Sequence, residues 1–416
     1  MLKTYRGRHP LQNYFAIREN PIAFLSNVLK ECGDFALIRI FAFRFYLIND
    51  PNIIRETLIE KNNVLVIEGG VSRGLARLIG NGILTNHGDQ WRQSRHNLQP
   101  LFRQEALESY FSIVTERVQE SLNRWRSNFT RKSFSINREL LALSFRITCS
   151  TLFRYVPNFE EAEEFADAIW VLQLHGMKRY MVGLDFIPWL PLPLNRRVNR
   201  AKATLIRLAQ KPIEHGADQP LDEILSILFA GTESPANTLC WALKLLEDHP
   251  DWYEKVVKAL PYKDGENVDI LSQVISETIR LYPAGWAFER YAAADVILGG
   301  EAISKGSRLL FSPFLLHRNP RFWREPETFD PLRFSNGSTV PVDVPKFGYL
   351  PFGAGPRSCI GSRMAWAEMR ITLSMILAQC RWKIDKLPDD ALLAAEGSFK
   401  IRLNRPLFVR MDFLNP

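Results

Sequence analysis

The chain of 416 residues has little cysteine, and none of it is paired in sequence. Its five cysteines, Cys32, Cys149, Cys240, Cys359 and Cys380, lie far apart, and no two stand at C-x-x-C spacing. The missing spacing removes the usual zinc and iron–sulfur frameworks. An odd count at wide separation argues against a disulfide scaffold and suits a reducing compartment. No apolar run approaches the ~18 residues needed to span a bilayer. Residues 1–10 are polar and basic, without the apolar stretch of a secretion signal, so a cytoplasmic protein with no membrane span is expected. Gly/Ser linkers, low-complexity tracts and internal repeats are missing too. One domain over residues 1–416 is therefore expected, and a monomer.

Lys and Arg number 53 against 45 Asp and Glu, a net charge of +8. Such a balance permits an acidic partner or an anionic surface. The cations are scattered among acids, which speaks against nucleic acid as a partner. Hydrophobic residues make up 46%, enough for a sizeable core.

What is present is mostly helix. Residues 35–40 and 43–48 are β-rich runs that read as a hairpin, and Asn49-Asp50-Pro51 caps a helix after them. From about residue 88 to 260 apolar residues recur at three and four. Residues 222–248 form one long apolar-periodic helix, and residues 270–282 another, stopped by Pro283. Short strands and loops follow residue 290, and a last helix follows Cys359, running to about Gln379. The fold class is mainly α with a small β part.

The strongest local signal is Pro351-Phe-Gly-Ala-Gly-Pro-Arg-Ser-Cys-Ile-Gly361, a glycine-dense loop presenting one cysteine just before a helix. Gly353 and Gly355 permit backbone conformations closed to other residues. A helix start favours an anion, hence the thiolate of Cys359, and Arg357 adds a nearby cation. Gly361 leaves room for a flat ligand. On residue chemistry alone, Cys359 reads as a buried small hydrophobe or as an activated catalytic nucleophile.

The pattern Phe352-x-x-Gly355-x-Arg357-x-Cys359-x-Gly361 resembles the haem-binding signature of the cytochrome P-450 family, with every fixed position matched. The resemblance implies the cytochrome P-450 fold, in a bacterial-type member. Haem b (iron protoporphyrin IX) would sit between a long distal helix and the helix after the cysteine loop. Cys359 is then the axial ligand and sole metal-binding residue.

Other segments fit the same likeness. Glu277-x-x-Arg280 followed by Leu281-Tyr282-Pro283 resembles the family's structural Glu/Arg pair, and Arg333 looks like the third member of that triad. Leu332 stands where the family usually has an acid. Glu277 and Arg280 alone read equally well as a surface ion pair. Trp91 and Arg95, with Arg290 and Arg357, resemble the donors to the haem propionates; Trp91 and Arg95 alone fit an exposed cation–aromatic pair. Ala230-Gly-Thr-Glu-Ser234 resembles the oxygen-activation segment. It assigns catalytic roles to Glu233 and Ser234, the latter in place of the usual threonine. Pro235 removes an amide donor there and is expected to kink or open the helix. Two stretches look short, about 189–220 and 258–271, the first seeming to lack a helix.

The likeness implies a monooxygenase that inserts one oxygen atom from dioxygen into an apolar small molecule, such as a lipid, a terpenoid or another natural-product intermediate. Electrons would come from a separate ferredoxin or flavodoxin with its reductase, docked near Arg357, Arg363 and Arg370. The Ser234-Pro235 change opens an alternative: coupling, desaturation, a peroxide-driven reaction, or a non-catalytic haem sensor or carrier. The expected pocket lining is residues 66–76, Phe229, Ala230, residues 284–288, Ser398 and Phe399, with Glu68 and Arg73 as polar contacts.

Overall fold

The computed structural model describes the chain except for residues 1, 6, 8–10, 42, 68–69, 131, 174–191, 261–269, 336–339, 386–405 and 415–416. Glu68, Ser398 and Phe399 of the expected pocket lie outside the described residues. The chain falls into two compact units. Unit 1 comprises residues 1–73, 279–359 and 394–402; unit 2 comprises residues 74–278, 360–393 and 403–416.

Unit 1 is built on a six-stranded mixed sheet. Its strands are β1 (Lys3–Tyr5), β2 (Phe35–Ile40), β3 (Phe43–Ile48), β4 (Leu65–Val66), β6 (Phe288–Ala292) and β9 (Arg308–Phe311), in the order β1-β2-β3-β9-β6-β4. The expected hairpin is present, β2 and β3 pairing antiparallel with Ile40 opposite Phe43. β7 (Val296–Leu298) and β8 (Glu301–Ile303) form a separate ribbon. Helices α1 (Gln12–Glu19), α2 (Pro21–Cys32) and α3 (Pro51–Arg55) accompany the sheet. Asp50 caps α3 as expected, its carboxylate accepting the amides of Asn52 and Ile53. Leu37, Tyr46, Ile48, Leu58, Leu309 and Phe311 fill the sheet's core, which reaches Leu350 at the start of the cysteine loop.

Unit 2 is helical. It holds most of α4 (Gly70–Ile79), then α5 (Gly88–Leu98), α6 (Gln104–Phe129), α7 (Ile136–Leu152), α8 (Phe159–Val171), α9 (Pro193–Glu214), α10 (Leu221–Asp248) and α11 (Pro250–Lys258). Most of α12 (Ile270–Leu281) belongs here as well; the short α13 (Pro313–Leu316) lies in unit 1, and α14 (Ser362–Gln379) in unit 2. β5 (Ser133–Ser135), β10 (Cys380–Ile384) and β11 (Phe408–Phe413) form a three-stranded antiparallel sheet. α10 packs chiefly on α7, and also on α9 and α14.

The first of the two short stretches carries the 22-residue α9, whose buried Val198, Ala201, Leu205, Leu208 and Pro212 recur at three and four, and α10 follows it with no further helix between them. Pro235 lies inside α10, which is helical from Leu221 to Asp248. Burial on nearly every side holds the helix together around the missing amide donor.

Candidate haem-thiolate site

In unit 1 the cysteine loop is shaped by its backbone. Gly353 and Gly355 have φ of +71° and +73°, the left-handed region expected for them. Gly355 is confined further: a Cβ there would lie 2.1 Å from the carbonyl oxygen of Leu58. The loop closes on itself, the amide of Cys359 donating to the carbonyl of Phe352 at 2.9 Å and that of Ser358 to Gly355 at 3.0 Å. Phe352 and Arg357 are half-buried. Cys359 is exposed, whereas Cys149, Cys240 and Cys380 are buried and Cys32 partly so. Burial pushes the Cys149 and Cys240 thiols well up and that of Cys380 up to about 12, so these three are small core residues in the neutral form. α14 begins at Ser362 with Gly361 as its cap, so Cys359 stands three residues before the first helical turn, not within it. Gly361 has an ordinary φ of −91°, and a Cβ on it would meet only Phe102, at 3.4 Å.

A buried network supports this loop, and part of it was not read from the sequence. Arg280 is fully buried and donates to the carbonyls of His317, Pro326 and Thr328 at 2.9, 2.7 and 3.1 Å. Its guanidinium lies over Trp323, 5.2 Å from the ring centre. Arg333 donates to the carbonyls of Arg324 and Glu325. Glu277 is fully buried too, which excludes the surface ion pair as a reading of Glu277 and Arg280. The unforeseen member is His317. Its ring nitrogen Nε2 accepts the amide of Leu350 at 2.8 Å, just before the loop. Burial holds the His317 imidazole well below its ordinary pKa, and the Arg280 and Arg318 cations add to this, so it stays neutral and able to accept. The signal for it in the sequence was one histidine in Leu316-His317-Arg318, which no periodicity marks.

Arg290 on β6 is 8% exposed. Burial pushes its pKa down to about 10, against the opposing charge of Glu289. Its guanidinium donates to the carbonyl of Glu289 at 2.9 Å and makes no ion pair among the described residues. A buried guanidinium without a carboxylate is costly unless a ligand anion answers it.

In unit 2, Glu233 is 4% exposed in the middle of α10. From Glu223 to Leu246 nearly every residue of α10 is buried. The exceptions are Lys244 and three small residues on one face, Ala230, Gly231 and Ser234. They form a narrow window of partial exposure on an otherwise closed helix. Thr148 of α7 borders it, 3.9 Å from where a Cβ on Gly231 would lie. The Ser234 hydroxyl donates to the carbonyl of Ala230 at 3.1 Å, so its hydrogen is held within the helix. Trp91 and Arg95 lie one turn apart on α5, both half-buried rather than exposed. The segment leading to α5 is pinned by α10, whose Asp222 and Glu223 carboxylates accept the amides of Asn81 and Ile83 at 2.8 Å each. Gly82 is required there, since a Cβ would lie 2.3 Å from the carbonyl oxygen of Asp222.

The family model for cytochrome P-450 matches residues 8–223 and 217–401. The chain belongs to the cytochrome P-450 family. Its curated relatives include the cyclooctat-9-en-7-ol 5-monooxygenase of Streptomyces melanosporofaciens, 28% identical over 94% of this chain and 91% of that one. Another is the pentalenene oxygenase of Streptomyces avermitilis, 27% identical over 93% and 92%. Among solved structures, CYP175A1 from Thermus thermophilus superposes with a TM-score of 0.80 at 25% identity, covering 99% of this chain and 100% of that one. As a cytochrome P-450 the chain is an oxygen-incorporating oxidoreductase with haem b as cofactor, which sets aside the sensor or carrier. The residues present fit that group. A soft ligand is offered by the one exposed cysteine among the described residues, and a buried cation lacking an anion is offered by Arg290. No helix among the described residues is long and apolar enough to cross a membrane.

Proposed function

We propose that this cytochrome P-450 is a monooxygenase acting on an apolar terpenoid-class molecule, with electrons supplied by a separate acidic ferredoxin or flavodoxin. The observation that carries the reading is the window of Ala230, Gly231 and Ser234 beside buried Glu233. Small residues leave space for small oxygen species and an apolar substrate, and a buried acid next to that space can hold or move a proton. The names of the Streptomyces relatives support the terpenoid class.

Haem supplies oxygen activation when bound; the chain's residues supply ligation, charge balance, orientation and protons. Cys359 would be the axial ligand, with Phe352 and Gly361 beside it, and Arg290, Arg357, Trp91 and Arg95 would answer the propionates. Glu277, Arg280 and Arg333 are structural. Glu233 is the proton reservoir of α10. Ser234 donates to Ala230 in the resting arrangement, so it must rotate its hydroxyl to hand a proton outward. Both units would belong to one catalytic domain, since the family model runs through both. Exposed Arg363 and Arg370, seven residues apart on α14, offer cations to an acidic electron donor.

The test is turnover of cyclic terpenes under labelled dioxygen, once with ferredoxin, its reductase and a reduced nicotinamide, and once with hydrogen peroxide. Label in the product only with the electron donor supports the proposal. Product formed only from peroxide, or oxidation without label, overturns it.

A further inference from the structure

Two polar groups on neighbouring helices of unit 2 lack partners at the edge of the small-residue window. The first is the carbonyl of Gly231. In an α-helix that oxygen accepts the amide four residues on. Here that residue is Pro235, which has no amide hydrogen and whose ring presses on the same carbonyl. The hydroxyls along this part of α10 do not stand in for it. Those of Thr232, Ser234 and Thr238 donate to Leu228, Ala230 and Ser234, each four residues back. Gly231 is partly exposed, and a residue without a side chain exposes only its backbone.

The second is the hydroxyl of Thr148 on α7, a residue 1% exposed. Thr151, further along the same helix, donates its hydroxyl to Ile147 at 2.7 Å in the ordinary helical way. The Thr148 hydroxyl bonds to none of the described residues. It also stands beside Gly231. Thr148 Oγ1 and Cγ2 lie 3.9 and 4.0 Å from where a Cβ on Gly231 would be, and apart from the chain neighbours of Gly231 no other side chain of the described residues comes within 4 Å of that point. A buried polar group without a partner is unfavourable. Two of them side by side, at a place where backbone is open, mark a site that another molecule completes.

A hydroxyl group completes both, donating to the Gly231 carbonyl and accepting from Thr148. A hydrocarbon does neither, an ammonium only donates, and a carboxylate only accepts. We propose that Gly231 and Thr148 form a hydroxyl-binding subsite, and that the preferred substrate is an apolar alcohol, a molecule already carrying one oxygen. Water has the same chemistry but fits less well. An alcohol has one hydrogen to place, and the site offers one acceptor for it; a water keeps a second hydrogen to place. An oxygen-introducing step must then precede the one catalysed here. The inference rests on the reading that an apolar substrate lies at this window, and it sharpens the substrate class.

The test is optical titration of the ferric holoprotein with matched pairs, adamantane against 1-adamantanol and cedrane against cedrol. The wild type should bind each alcohol at least about fivefold more tightly than its hydrocarbon. Pro235→Ala returns an amide donor to the Gly231 carbonyl, and Thr148→Val removes the hydroxyl while keeping the shape. Each should lower the preference at least about threefold and leave the hydrocarbon dissociation constant within about twofold. Alanine favours a helix interior, and the removed threonine hydroxyl has no partner to lose, so both variants should fold; thermal unfolding and the reduced carbon-monoxide spectrum check this. No preference in the wild type, or no binding of either member, leaves the place to water and overturns the proposal. A preference intact in either variant puts recognition elsewhere, and equal weakening of alcohol and hydrocarbon shows general reshaping; both overturn it. A Soret shift to the red with the alcohols marks coordination to iron and equally overturns it. The titration needs neither electron donor nor dioxygen, so it stays readable if the turnover test fails. Oxygenation of hydrocarbons with no preference for alcohols sinks this inference alone.

Discussion

The Phe352–Cys359 loop and the middle of α10 reach their shapes by different means. In the loop, backbone conformation decides: two positive-φ glycines, two internal hydrogen bonds, and a neutral histidine holding the amide of Leu350. In α10, packing decides: the helix passes through Pro235 unbroken because its neighbours enclose it, and only Ala230, Gly231 and Ser234 are left partly open. A loop shaped by its backbone has few alternatives and tolerates few substitutions at its glycines. A helix shaped by packing tolerates an irregular residue and exposes chemistry only where side chains are small.

That contrast can be broken most severely at the cysteine. Cys359→Ala should abolish the thiolate-type reduced carbon-monoxide spectrum and all oxygenation, while Cys149→Ala, removing a core thiol, should leave the spectrum intact; absorption spectroscopy of the reduced protein checks both. Arg280→Leu leaves three carbonyls without their donor, that of His317 fully buried, and a loss of about 3–5 kcal/mol is expected, measured by denaturant unfolding together with haem retention. Gly355→Ala combines a left-handed φ with a Cβ clash on Leu58, for about 2–4 kcal/mol; Gly231→Ala in α10 should cost little, since only Thr148 lies near and at ordinary contact distance. Equal losses for the two alanines would erase the distinction between backbone-shaped loop and packed helix.

Smaller effects sharpen it. Glu233→Gln should slow product formation by ten- to a hundredfold, on the order of 1–3 kcal/mol, with substrate binding spectra unchanged. The smallest expected effect concerns Glu368 of α14, which burial pushes up to about 8 despite the hydrogen bond from the Ser144 hydroxyl of α7. Its folded pKa lies above its unfolded one, so the native state holds the extra proton. Stability from this group is present in full below about pH 4.5 and is lost as pH rises through about 8. Between pH 7 and 8 the loss is about 1 kcal/mol. Glu368→Gln should flatten that slope; thermal unfolding at a series of pH values reads it, and an unchanged slope would remove Glu368 as its cause.

Much of this was legible along the chain. The hairpin, the Asp50 cap and helices over 222–248 and 270–282 were read nearly to the residue, because apolar period and proline stops are local signals. The glycines of the loop were legible for the same reason. Helix α9 falls within the region, about 88 to 260, where the apolar period at three and four was read, although its ends were not. His317 and Glu368 could not have been found locally: the first acts on Leu350, 33 residues away, and the second meets Ser144 across 224 residues.

The sequence by itself determined the cofactor class and the helical character, because a short motif and a hydrophobic period are written in consecutive residues. Only the tertiary structure decided which cations lack an anion, which acid keeps its proton, and which face of α10 is open. Burial and charge balance arise from residues far apart in the chain, and no short stretch encodes them.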